Sequence, residues 1–394
     1  MSKMKRFLNI ESCNFVDYPT GGQTTFAKQV MQAYGNEVAL VGITTDKNIP
    51  IGEWTKVKIG EITFDYFAVI RVSKTFHKPL IPKRLQMYMA FRKYKKEIFD
   101  FGIHNVFVQA PEILFAIDDL PWDSICVNMP GIVNPLENSR YQGMNYFAGI
   151  FDYFYIKSLK KASKILASAD NRTIENFLST RGRTFAKEEI IHFPTRVETN
   201  IFFPKNKYDC RNNLSISKSK FPIFVVTGRL AKIKGWKLII DSFIKFHESE
   251  KNAMLYFVGD GEDRQIIKSY IVERKFSDSI ILVGAVKREE VVLWINAADA
   301  ILVGSFVEGW SLSMLESAAC GKPIVSTDIS GAQDIIIEGL TGFISYDRDV
   351  NTYAKLMLNT LKSDPLAVRE HALNNIEKYA LCYLKNELDK LWKR

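Results

Sequence analysis

Short apolar runs and longer amphipathic stretches take turns along most of this chain. Runs with the length and composition of buried strands fall at 38–43, 105–109, 125–128, 164–169, 189–193, 223–227, 254–259, 280–284, 300–303 and 323–326. Stretches with helical spacing lie between several of them, at 24–33, 238–248, 261–274, 288–296 and 311–320. A strand that is apolar on every residue needs cover on both faces, and a strand–helix–strand order supplies it. The alternation therefore predicts an α/β fold with doubly wound parallel sheets. It occurs twice, before and after the polar stretch 205–220 (KNKYDCRNNLSISKSK), which reads as a linker. Two domains suit 394 residues at ~150 per domain. The expected division is 1–205 and 206–375, with a terminal helix over 376–394 that packs locally or back on the first domain.

Composition excludes several classes. With 47% hydrophobic and 25% charged residues the chain is neither disordered nor a coiled coil. No apolar run approaches the ~20 residues that span a bilayer, and the first residues, MSKMKRFLNIESCNF, carry no cleavable leader pattern. The five cysteines are scattered and include no C-x-x-C pair, which suits a reducing cytosol and speaks against a disulfide frame or a cysteine-ligated zinc. The net charge of +9 fits anionic partners. No aromatic–basic recognition pattern accompanies it, so nucleic acid is not expected. Residues 71–96 hold nine Lys/Arg and no Asp/Glu, with Leu85, Tyr88, Met89 and Phe91 at near-helical spacing. Such a segment either faces an anionic membrane or is a solvated helix face. The expected localisation is cytoplasmic, with a peripheral position on the inner membrane face as the second option.

The densest chemistry lies in the second half. The strand 223–227 runs into Gly228, Arg229 and then Lys234-Gly235. Open α/β sheets bind ligands at the carboxyl ends of their strands, and a guanidinium fork with an ammonium there suits a diphosphate. Taken alone, the pair reads better as exposed loop cations. The strand 300–303 is followed by GSFVEGWSLSMLESAACGKPIVS, which puts Glu308 in a loop and Ser311 or Ser313 in the first turn of a helix. Unsatisfied N–H groups and the positive dipole end there favour a phosphate. Glu316 stands further along that helix with no Lys or Arg three or four residues away. It reads either as a buried structural acid or as an acceptor of hydrogen bonds from a polyol.

The segments GRLAKIKG, VGDG, EGWSLSMLESAACGKPIVS and GAQD, in this order over residues 228–334, resemble glycosyltransferase family 4. Glu308-x7-Glu316 resembles its E-x7-E signature. The first half is similar more loosely, through Gly21-Gly22 and VETNIFFP (197–204), which resembles the end of that family's first domain. The resemblance implies the GT-B fold, two Rossmann-like domains facing a central cleft. It implies a retaining transfer of a hexose-type sugar from a nucleotide-diphosphate sugar to a saccharide or lipid-linked acceptor, in surface polysaccharide or glycolipid synthesis. Arg229 and Lys234 would hold the diphosphate and stabilise the leaving phosphate, and Glu308 would touch the transferred sugar. Glu316 would bind the ribose, and Val286, with Asp260-Gly261, would lie near the base. Gly21, Gly22, Gly228, Gly309, Trp310, Ser311 and Leu312 would complete the donor site. A UDP-sugar is the favoured donor and GDP-mannose the next. No metal is expected, because Arg229, Lys234 and the helix dipole meet the developing charge.

Two departures bear on this. The histidine many members carry near the acceptor is absent, and Asn128 or Met129 stands in its region. Trp310-Ser311 replaces the common Phe-Gly. A nucleotide-sugar epimerase of the same fold and a non-catalytic nucleotide-sugar-binding partner are the alternatives. The D-x-D of residues 347–349 reads as a solvated turn.

Overall fold

Along the strand Ile223–Thr227, Ile223 and Val225 enter one apolar cluster and Phe224 enters another. Both faces of that sheet are thus covered, as continuous apolar runs require. The computed structural model describes residues 6–19, 21–73, 81–132, 134, 136, 143–217 and 221–392. Residues 74–80 of the basic segment and 218–220 of the expected linker lie outside them. The chain divides into two units, Met1–Thr195 with Cys382–Arg394, and Arg196–Leu381.

The first unit holds β1 (Phe7–Ile10), α1 (Gly22–Tyr34), β2 (Val38–Thr44), β3 (Trp54–Ile59), β4 (Ile62–Arg71), α2 (Lys83–Phe99), β5 (Asn105–Val108), α3 (Pro111–Ile117), β6 (Ser124–Met129), α4 (Ala148–Leu159), β7 (Lys164–Ala167), α5 (Asn171–Thr180) and β8 (Ile190–His192). The sheet order is β3-β4-β2-β1-β5-β6-β7-β8, parallel except where β3 meets β4. That hairpin was not expected from the sequence. Its edge strand alternates, placing Lys56 and Lys58 on the exposed side, where charge blocks pairing with another chain. Trp54, at the start of the strand on the same face as the lysines, anchors it by stacking on Phe101 at 3.7 Å.

The second unit holds α6 (Lys207–Asn213), β9 (Ile223–Thr227), α7 (Trp236–His247), β10 (Met254–Val258), α8 (Arg264–Glu273), β11 (Ile280–Gly284), α9 (Arg288–Ala297), β12 (Ala300–Val303), α10 (Leu312–Ala319), β13 (Ile324–Thr327), α11 (Ala332–Ile335), β14 (Gly342–Ser345), α12 (Val350–Thr360) and α13 (Pro365–Ile376). Its sheet is parallel throughout, in the order β11-β10-β9-β12-β13-β14. Strand order reverses between β9 and β12, so the loops leaving those two strands diverge and open a crevice at the carboxyl edge.

The units divide ten residues earlier than expected. Val197 donates to Tyr379 O (2.9 Å) and Leu381 donates to Val197 O (2.8 Å), and Phe202 is fully buried in the second core. The segment 197–204 therefore belongs to the second unit and does not close the first. The stretch 205–220 is not a simple linker either. Asn206 caps α6 by accepting from Tyr208 N and Asp209 N, and Arg211 pairs with Asp299 at 2.6 Å. At the C-terminus α14 (Leu384–Leu391) lies on the first unit. Trp392 is buried there against Phe7 at 5.2 Å, and its indole donates to Ser124 Oγ at 2.6 Å. Among the described residues no helix is long and apolar enough to cross a membrane.

Candidate active site

The crevice at the β9/β12 reversal is a cavity whose walls include Gly228, Arg229, Lys234, Ser305, Glu308 and Ser313. Backbone packing builds it. Gly259, with φ 145°, lets β10 approach the first loop so closely that a Cβ there would lie 1.9 Å from Gly228 O. Gly228 N then donates to Val258 O (3.0 Å) and Leu230 N to Asp260 O (3.1 Å). The VGDG segment thus braces the loop that carries Arg229. Gly235, with φ 63°, does the same for the second loop, since a Cβ would fall 1.8 Å from Gly304 O.

Lys234 Nζ lies 2.5 Å from Glu308 Oε1, and Ser305 Oγ donates to the same oxygen at 2.7 Å. The cation expected to meet a diphosphate is thus paired with the acid expected to meet a sugar. Arg229 is exposed and, among the described residues, carries no hydrogen bond or ion pair. Helix α10 begins after Ser311, whose Oγ lies 3.0 Å from Ser313 Oγ. Ser311 accepts no capping bond from the first turn, so its amides are not held by their own N-cap side chain.

Several expected residues lie elsewhere. The Trp310 indole is buried against Tyr379 (5.4 Å) and over Gly331, so only its backbone is near the helix start. Glu316 is buried in α10 and does not line the cavity. It does have a cation: Arg288 of α9 donates to its Oε1 at 3.4 Å and also pairs with Glu198. That partner is 28 residues away, beyond any helical spacing rule. Burial pushes the Glu316 carboxyl up to about 7, against the pull of Arg288 and with the help of Glu198. Val286 is half-buried between β11 and α9 and packs on the core.

Arg348 is the residue sequence reasoning missed. It follows β14 on the same carboxyl edge, and its side chain turns inward. Its guanidinium donates to Ser305 O (2.7 Å) and Gly304 O (2.8 Å) and lies 3.8 Å over the Phe306 ring. It holds φ 54°, a conformation that costs a non-glycine residue ~1 kcal/mol or more. The flanking Asp347 accepts from Asp349 N–H, Thr352 Oγ1 and Ser345 Oγ, which hold its carboxyl below its usual range, and Asp349 accepts from the N–H groups of Asn351 and Thr352 in α12. Among the described residues no cluster of His, Cys, Asp and Glu could hold a metal ion.

In the first unit strand order reverses between β1 and β5. Glu11 and Gln109 follow those strands, and Gln109 Nε2 donates to Glu11 Oε1 at 2.9 Å. Asn128 Nδ2 donates to Gln109 Oε1 at 3.3 Å, and Ser168 Oγ to Phe193 O at 3.0 Å. Asn128 is fully buried in this network, so it presents no side chain to a ligand. Burial lifts the Glu11 carboxyl well above the carboxylate range. Met129 lines a separate cavity with Arg84, Asp152, Tyr155 and Arg181. Gly21 and Gly22 open α1, with empty space where a Cβ would stand.

Two α/β units of this topology, with a cation-lined cavity at the second sheet's reversal, define the GT-B class of folds. Residues 212–379, less than half of the chain, match the family described as glycosyl transferases group 1. The N-acetyl-alpha-D-glucosaminyl L-malate synthase of Bacillus anthracis is 25% identical over 170 residues, 43% of this chain and 44% of that protein. The lipopolysaccharide 1,6-galactosyltransferase of Salmonella typhimurium is 22% identical over 66% of this chain and 72% of its own. The chain thus spans less than half the length of the first of these relatives. Sucrose-phosphate synthase from Thermosynechococcus elongatus superposes with a TM-score of 0.76 at 17% identity, over 98% of both chains. HepE from Anabaena, solved in complex with UDP, superposes with a TM-score of 0.72 at 13% identity over 98% of both.

Proposed function

We propose that this protein moves a hexose-type sugar, with retention of configuration, from a nucleoside-diphosphate sugar to a saccharide or lipid-linked acceptor in surface polysaccharide or glycolipid synthesis. One observation carries the reading: Arg229, Lys234, Glu308 and Ser313, near the start of α10, line a single cavity at the carboxyl edge of a parallel sheet. An arriving diphosphate competes with Glu308 for Lys234. Arg229 adds a second cation and the first amides of α10 add donors. Released from Lys234, the Glu308 carboxylate is free to accept from sugar hydroxyls. Charge that develops on the leaving phosphate is met by Lys234 and Arg229, so turnover is expected to withstand a chelator. UDP is the favoured donor nucleotide, in keeping with the UDP held by the Anabaena structure, and GDP-mannose the next. Among the described residues the five cysteines form no disulfide, which fits a reducing compartment, and the proposed site of action is the cytoplasm.

A thermal-shift screen of UDP, GDP, ADP and their sugars tests the donor half, because a ligand of the native state raises Tm by mass action. Lys234→Ala is expected to lose both the shift and sugar transfer while keeping the melting point of the free chain. Unchanged transfer in that variant overturns the phosphate role. A new nucleotide sugar formed from donor alone makes the protein an epimerase instead.

A further inference from the structure

A single-turn 3-10 helix, Met144–Phe147, leads directly into α4. Tyr146, Phe147, Ile150, Tyr153 and Phe154 are all exposed, Tyr146 by 86% and Tyr153 by 65%. Spacings of three and four put them on one helical face. The other face packs inward, with Phe151 and Tyr155 against Phe115 at 5.5 and 6.1 Å. The outer aromatic residues are therefore not displaced from the core; the core already has its own aromatics from the same helix. Five large apolar side chains within nine positions form a contiguous patch of the kind that marks an interaction surface.

Lysines stand beside this patch. Lys157 ends the exposed face and Lys160, also exposed, follows, while Lys161 pairs with Asp118 at 3.3 Å. The helix has one acid, Asp152, which accepts from Asn134 Nδ2 at 2.9 Å and lies 3.7 Å from Arg181. A second exposed stripe, Ile81, Leu85 and Met89, runs along the start of α2 among Lys83, Arg84, Arg92 and Lys93. The expected stripe of Leu85, Tyr88, Met89 and Phe91 does not form, because Phe91 is fully buried. Arg84 of α2 and Tyr155 of α4 line the same cavity, so the two helices border one opening in the first unit.

We propose that this face of the first unit docks on an anionic lipid bilayer, with the 146–154 stripe seated at headgroup depth and the lysines at its end over acidic headgroups. Aromatic rings with a polar or quadrupolar edge favour that boundary, and basic residues beside it are drawn to acidic lipid. A second copy of the chain is the poorer occupant, since a two-fold contact pairs this face with itself and its one acid, Asp152, is already engaged by Asn134 and Arg181. The proposal rests on the lipid-linked option for the acceptor, whose headgroup would find the cavity between α2 and α4 within reach of the surface.

The test is flotation of the full chain with phosphatidylcholine vesicles, with and without phosphatidylglycerol. Binding is expected only with phosphatidylglycerol and is expected to fall as salt rises. Tyr153→Ser with Phe154→Ser, both at exposed positions, should weaken it about tenfold. Lys157→Glu with Lys160→Glu should remove the preference for acidic lipid. Both double variants should keep the wild-type melting point and its shift with UDP. A wild-type chain that stays in solution at every phosphatidylglycerol content overturns the proposal, as does a Tyr153/Phe154 variant that floats like wild type. A wild-type dimer lost in that variant, without flotation, assigns the patch to self-association. Flotation with no nucleotide shift leaves the surface standing and overturns the donor reading alone.

Discussion

At Glu308 one carboxylate oxygen accepts from Lys234 and from Ser305, at 2.5 and 2.7 Å. The acid therefore competes with any incoming anion for Lys234, and this sets opposite signs for binding and chemistry. Glu308→Gln is expected to tighten UDP binding by about fivefold, since a part-exposed ion pair is worth ~1 kcal/mol, and to abolish sugar transfer. Titration calorimetry and turnover together check it. Weaker UDP binding in the variant would mean that Glu308 orients Lys234 and does not sequester it. That Arg229, Lys234 and Glu308 fall in loops past strands on the carboxyl edge was legible in the sequence. Their pairing was not, because it depends on how closely two loops 74 residues apart are held.

Loops of this kind need braces, and Arg348 supplies one between β14 and the loop after β12. Its two bonds to Ser305 O and Gly304 O fix the peptide planes that precede Glu308. Arg348→Met keeps the stem and removes the fork. The free chain is expected to lose about 1–3 kcal/mol of stability, and UDP affinity should fall several-fold as the loop relaxes. Arg348→Lys should restore little, because an ammonium cannot span two adjacent carbonyls in the guanidinium plane. Equal UDP affinity in the Met variant would reduce Arg348 to a purely structural contact. The D-x-D triplet was read as a solvated turn, and Asp347 and Asp349 are exposed; only Arg348 turns inward, because the strand order brings β12 and β14 to one edge. The hairpin of β3 and β4 escaped for a related reason. Its edge strand is too polar to read as buried, and its partner strand is identified only by the pairing.

For the whole molecule, burial of Glu316 links stability to pH. Its carboxyl is raised from the usual 4.5 to about 7, so the folded chain keeps a proton that the unfolded chain has released. Between those values the native state binds more protons, and stability falls as pH rises. In Glu316→Gln that loss is absent. The variant should gain on wild type from pH 4.5 to 7 and hold a constant margin above, at most about 3 kcal/mol. Melting curves across that range check it; a margin that is flat with pH would mean that the acid titrates normally. Buried Glu11 has the same direction of shift but is common to both chains, so it cancels. The sequence alone determined two doubly wound parallel sheets, the β3–β4 hairpin apart, and placed Arg229, Lys234 and Glu308 at the carboxyl edge of the second. Those follow from local periodicity, because a strand apolar on both faces admits few packings. Only the tertiary structure decided that Glu316 meets Arg288, that Trp310 turns into the core, that Asn128 is sealed beneath Gln109 and that 382–394 returns to the first unit. Each of these depends on which distant surfaces meet, and no spacing along the chain encodes that.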